Sequence, residues 1–217
     1  MSGPPIEGAR LTRALNRLAA ADPALARALA EAGRPPPRHR PPGFPALLDI
    51  ILAQQVSTAS ARAIAGRLEA ALAGRIEPAA FLALDDAALG AVGFSRAKMR
   101  YGRGLAEAVL SGGLDLAALA GAPDEAAIEA LVALKGLGRW SAEVYLLFAL
   151  NRPDVMPADD LGLLLGLQRA DGAEARPTPR QLRERSEAWR PWRSVAARLL
   201  WHYYGWTRRS AAPGAPL

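Results

Sequence analysis

Cysteine is absent from the 217 residues, and histidine occurs only at His39 and His202. Those absences exclude disulfides, thiolate zinc sites and cysteine-ligated iron–sulfur clusters, and they leave too few ligands for transition-metal chemistry. No metal and no other cofactor is expected. Long apolar runs are missing as well: no window approaches the roughly 20 apolar residues of a membrane span, and Met1 to Arg10 lacks the apolar stretch of a secretory signal. A cytoplasmic protein without membrane attachment is the expectation. Alternation with period two is scarce, so little of the chain reads as strand.

What the chain does have is 51% hydrophobic residues, enough to bury a core in one compact unit or in two small lobes sharing a cleft. Its 20 glycines and 18 prolines fall in turns and one linker, with no fixed period and no internal repeat. The formal net charge is +6, carried mainly by arginine, whose guanidinium pairs bidentately with phosphate. Such an excess suits a nucleic acid, but it serves solubility equally well.

Residues Ile6 to Ala32 carry leucines at helical spacing, interrupted at Asp22-Pro23. The stretch from Arg34 to Gly43 is too rich in proline to be helical and reads as a stiff basic connector. Beyond it, apolar faces of period near 3.6 recur over 47–52, 59–72, 78–84, 86–92, 97–110, 128–134, 141–150, 161–169, 178–189 and 192–204. The pattern predicts an all-α protein of about ten short helices. It divides into N-terminal helices and linker (1–43), a central helical lobe (44–152), a C-terminal helical lobe (153–209) and a disordered tail (210–217).

The segment from Pro123 to Leu150 reads as helix, hairpin, helix. Ile128, Leu131 and Val132 form one apolar stripe and Ala142, Tyr145, Leu146 and Ala149 the other, across a turn made by Gly136 and Gly138. Glycines there leave backbone N–H groups uncovered where a helix begins, a site that suits a phosphate; an ordinary glycine turn between packed helices has the same composition. Asp159 and Asp160 precede the helical pattern at Leu161, where aspartate commonly serves as an N-cap.

Leu134-Lys-Gly-Leu-Gly-Arg-Trp-Ser-Ala142 resembles the hairpin of the helix-hairpin-helix (HhH-GPD) DNA glycosylase superfamily. Ile51-Leu-Ala-Gln-Gln-Val-Ser57 is similar to that superfamily's DNA-facing helix junction, and Met156-Pro-Ala-Asp-Asp-Leu-Gly162 to its catalytic loop. Trp189-Arg-Pro-Trp-Arg-Ser194, together with Trp201, resembles the alkyl-base (3-methyladenine) branch. In the family's order these segments cover roughly Phe44 to Trp206.

The resemblance implies a two-lobed helical fold with its site in the cleft between the hairpin lobe and a lobe built from both termini. It implies hydrolysis of the N-glycosidic bond of alkylated bases in duplex DNA, by a monomer with DNA as its partner. Asp159, two positions after Pro157, is the residue it marks as catalytic, with Asp160 as neighbour or cap. A carboxylate at a helix start meets the positive end of the dipole and can face the oxocarbenium character that develops on the sugar. Trp140, Trp201 and Tyr145 are the implied base-pocket residues, while Trp189, Trp192 and Trp206 read as core. Val144 stands where the branch often has an aromatic residue. Gln55 takes the position of the intercalating residue, and Lys135, Gly136, Gly138 and Arg139 that of the DNA-backbone contacts. Bifunctional members carry a lysine where this chain has Trp140, so no Schiff base and no strand cleavage are implied. Two other readings remain: a noncatalytic helix-hairpin-helix DNA-binding protein, and a glycosylase for oxidised or mismatched bases.

Overall fold

A computed structural model describes residues 4–210. The expected tail lies almost wholly outside them, although the last helix runs to Ser210, past the point after Thr207 where the apolar pattern fades. The helices, in chain order, are α1 (Gly8–Ala21), α2 (Pro23–Ala32), α3 (Phe44–Ala53), α4 (Thr58–Ala71), α5 (Pro78–Ala83), α6 (Asp86–Val92) and α7 (Arg96–Leu110). They continue with α8 (Leu116–Gly121), α9 (Asp124–Val132), α10 (Arg139–Phe148), α11 (Leu161–Asp171), α12 (Pro179–Ser186) and α13 (Arg193–Ser210). A 3-10 turn at Glu187–Trp189 precedes α13. Among the described residues there is no strand, and no helix is long and apolar enough to cross a membrane.

The chain divides into two compact units. The first is the continuous segment Arg40–Leu150. Its central element is α3, in which Phe44, Leu47, Leu48, Ile50, Ile51 and Leu52 are all buried. Only the stripe of Pro45, Asp49 and Ala53 is left open, so the helix needs cover on its other sides, and α4, α7 and α10 pack against it. Phe81 of α5 fills the centre, edge-on to Phe44 with ring centroids 5.9 Å apart and tilted against Phe94 at 5.6 Å. The pattern at 97–110 corresponds to α7, whose N-cap Ser95 accepts from Lys98 N. Apolar periodicity did not reveal α8; only Leu119 of it is buried, and Asp115 starts it by accepting from the N–H groups of Ala117 and Ala118.

The second unit combines the described residues up to His39 with those from Asn151 onward. Here α13 is the axis, burying Val195, Ala196, Ala197, Leu199, Leu200 and Tyr203 against α11, α2 and α1. Asp22, only 5% exposed, joins the two chain segments. It caps α2 through Ala24 N (2.9 Å), accepts two hydrogen bonds from Arg185 (2.7 Å each) and a third from Trp189 Nε1 (3.0 Å). Burial alone would raise its pKa, but the Arg185 guanidinium, the indole N–H and the cap hold the carboxyl below its ordinary value.

Candidate functional site

In the first unit the site begins with the turn between α9 and α10. Leu137 donates to Leu134 O and buries its side chain, while Lys135 and Gly138 remain exposed. Gly136 has φ +98, and a Cβ added there would lie 2.2 Å from the Tyr101 ring. Both facts require glycine: the backbone is left-handed and an aromatic ring occupies the side-chain space. Gly138 is the N-cap of α10 in extended geometry, so the helix opens with main-chain N–H groups that no capping side chain covers.

Two expected contacts in this unit differ from their sequence reading. Arg139 is not simply a cation offered to phosphate: it donates to Glu125 at 2.7 and 3.0 Å and to Glu143 at 3.0 Å. The hydrogen bonds it donates to Glu125, with the Glu143 carboxylate beside them, raise its pKa further. Tyr145 has no exposed surface, and its hydroxyl accepts from Gly43 N at 3.1 Å. It is therefore a core residue that ties α10 to the start of α3, not a pocket wall. Trp140, by contrast, is partly exposed on the first turn of α10.

The loop between α3 and α4 stands beside the hairpin. Gln55 is exposed and left-handed at φ +56, a conformation that costs a non-glycine residue of order 1–3 kcal/mol unless its surroundings impose it. Its neighbour Val56 is 38% exposed, and Ser57 then caps α4 through Ser60 N. Sequence reasoning passed over Gln54, whose Nε2 donates to Gly136 O at 2.9 Å and to Ser141 Oγ at 3.1 Å. Lys98 Nζ donates to Leu52 O at 2.6 Å, and burial lowers its pKa.

The second unit holds the two aspartates on a clamped loop. Asp154 accepts from Arg190 at 2.6 Å and from Arg193 Nε at 2.9 Å. Ser194 Oγ accepts from Val155 N and donates to Val155 O, while Ser194 N donates to Pro153 O. The Trp189–Ser194 motif thus fastens residues 153–155 to the start of α13. Trp189 is buried, whereas Trp192 and Trp206 are partly exposed, under Arg10 and stacked on Tyr203 respectively.

After the buried Met156, Pro157 and Ala158, a tight turn sends the two carboxylates to different partners. Asp159, with 46% of its side chain exposed, pairs with Arg183 of α12. Asp160 is the N-cap of α11, and its Oδ1 accepts from Leu163 N at 3.0 Å and from Trp201 Nε1 at 2.8 Å. Gly162 makes room for this arrangement, since a Cβ there would lie 3.0 Å from Asp160 Oδ1 and 3.2 Å from the Trp201 ring. The outcome is a carboxylate bonded to the edge of a partly exposed indole.

Residues 48–191 match the family model described as HhH-GPD superfamily base excision DNA repair protein. DNA-3-methyladenine glycosylase 1 of Schizosaccharomyces pombe is 40% identical over 112 residues, which cover 51% of this chain and 49% of that protein. This chain therefore spans about half the length of that curated relative. Among solved structures, Schizosaccharomyces pombe 3-methyladenine DNA glycosylase (Mag1) in complex with abasic DNA matches with a TM-score of 0.83 at 29% identity, covering 94% of this chain and all of that one. DNA-3-methyladenine glycosidase from Bacillus halodurans matches with a TM-score of 0.78 at 32% identity, covering 94% and 93%.

Proposed function

Because the chain belongs to the HhH-GPD superfamily of base excision DNA repair proteins, we propose that it is a monofunctional glycosylase removing alkylated bases, 3-methyladenine and related alkylpurines, from duplex DNA. The observation that carries the reading is the Asp160 carboxylate, bonded at once to the first turn of α11 and to the Trp201 indole.

The target base must leave the stack before its glycosidic bond can react, and an aromatic face repays part of that cost. Trp201 offers such a face, and an electron-rich indole favours a cationic alkylbase over a neutral one. In the reaction the C1′–N bond breaks with its electron pair departing on the base, and a water oxygen bonds to C1′. The carboxylate stabilises the cationic sugar between these events and takes up the water's proton. A base alkylated on a ring nitrogen already carries a positive charge, so it departs neutral without a strong general acid. Trp140 supplies no amine, so the product is an abasic site on an intact strand.

Of the two aspartates, we assign the chemistry to Asp160 in place of the Asp159 that the loop resemblance indicated. Asp159 is the more open to solvent and is neutralised by Arg183, whereas Asp160 is oriented by two directed donors beside the ring that would receive the base. Release of free bases from randomly methylated duplex DNA tests both claims. Asp160→Asn is expected to lose about 100-fold or more of the wild-type rate, and Asp159→Asn to remain within about tenfold of it. Nicks should appear only after alkali. The opposite ranking returns the role to Asp159, and a wild type that binds duplex but releases no base supports a noncatalytic DNA-binding protein.

A further inference from the structure

The hairpin and the Gln55 loop are fastened to one another by groups that the proposed chemistry leaves unused. Gln54 follows the last residue of α3, and its Nε2 donates to both Gly136 O and Ser141 Oγ. One helix braces both partners: Lys98 of α7 holds Leu52 O, and Tyr101, one turn later, occupies the space beside Gly136. Between these anchors stands Gln55 in the left-handed region, a conformation that persists only where the surroundings over-determine it. The neighbours that could impose it are the Lys98 bond before it, the Gln54 bonds to the hairpin and the Ser57 cap after it.

We propose that Gln54 is a positioning residue that couples the hairpin to the Gln55 loop, so that a DNA backbone seated on Gly136–Gly138 stiffens the side chain that replaces the extruded base. The proposal rests on the base-flipping reading above. The carboxamide nitrogen donates to Gly136 O on the turn and to Ser141 Oγ on α10, so a displacement of the turn carries the loop with it. A purely structural glutamine would instead stabilise both segments equally, with or without DNA.

Amide hydrogen exchange of the full chain distinguishes these, with and without a duplex carrying one tetrahydrofuran abasic-site analogue. In wild type, DNA should protect residues 134–139 and 54–58 together. Gln54→Met keeps the side-chain length and loses both donors. It should keep hairpin protection and lose loop protection, with base release at saturating duplex reduced about tenfold and affinity for undamaged duplex changed less than about twofold. Equal protection of both segments in Gln54→Met and wild type, or their joint loss, overturns the coupling. Should that variant fail to fold, Ser141→Ala removes one acceptor and must show the same split in weaker form; undiminished loop protection overturns the proposal. A wild type that releases no base yet shows paired protection, split by Gln54→Met, defeats the enzymatic reading and leaves the coupling standing. A wild type that protects neither segment defeats both.

Discussion

Two adjacent aspartates with different partners show how much a single turn decides at the scale of the residue. Asp159 and Asp160 are chemically identical and both stand before a helix, so propensity ranks neither above the other. Their separation comes from the Pro157–Asp160 turn, which directs one carboxylate to Arg183 and the other to Trp201. If the indole N–H orients the working carboxylate, Trp201→Phe keeps a stacking face but removes the donor. Steady-state kinetics should then show kcat reduced about tenfold, the scale of one charge-assisted hydrogen bond, with KM changed little. Trp201→Ala should impair both parameters, and equal kinetics for Trp201→Phe and wild type would remove the orienting role.

Residue types alone could not reveal that Tyr145 is sealed in the core or that Arg139 is held by Glu125 and Glu143. Those outcomes depend on partners up to 102 residues away, as the Gly43 bond to Tyr145 illustrates. Gln54 was legible only as half of a Gln-Gln pair at a helix end, because its two acceptors, one on the turn and one on α10, lie more than 80 positions further on.

Elements were more readable than residues, since apolar periodicity follows from burying one helix face and breaks follow from proline and glycine. The helical fold was legible for that reason, while α8 was not, because alanine supplies half of its short sequence and only a cap marks its start. The joints between elements carry the clearest stability consequences. Gly136→Ala would force a left-handed Cβ into the Tyr101 ring, and urea unfolding should show a loss of about 2–4 kcal/mol. Asp22→Asn leaves Arg185 with a weakened buried partner and should cost about 3 kcal/mol at pH 7. Because the folded carboxyl sits below its ordinary value of 3.8, the stabilisation from Asp22 is complete above that value and disappears as pH falls through the folded pKa. The gap between wild type and Asp22→Asn should therefore narrow below about pH 4, and a gap that stays constant down to about pH 2 would deny the linkage.

For the molecule as a whole, a net charge of +6 favours a polyanion but does not say which cations touch it. Salt titration separates the two basic residues of the hairpin. Lys135 is exposed, so Lys135→Ala should reduce the slope of log affinity against log salt by about one for undamaged duplex. Arg139→Ala should change that slope much less, because its charge is already balanced by Glu125 and Glu143. A larger slope change for Arg139 than for Lys135 would mean that DNA displaces those carboxylates.

The Asp22 junction also has a temporal consequence. Its partner Trp189 lies 167 positions later in the chain, whereas the unit Arg40–Leu150 is one uninterrupted segment. During synthesis that segment can be complete while α1 and α2 still await α12 and α13, since contacts so distant in sequence are slow to close. Helices α1 and α2 emerge before that segment yet are buried after it, so a nascent chain whose residue 150 has just cleared the exit tunnel would display a protease-resistant segment behind cleavable α1 and α2.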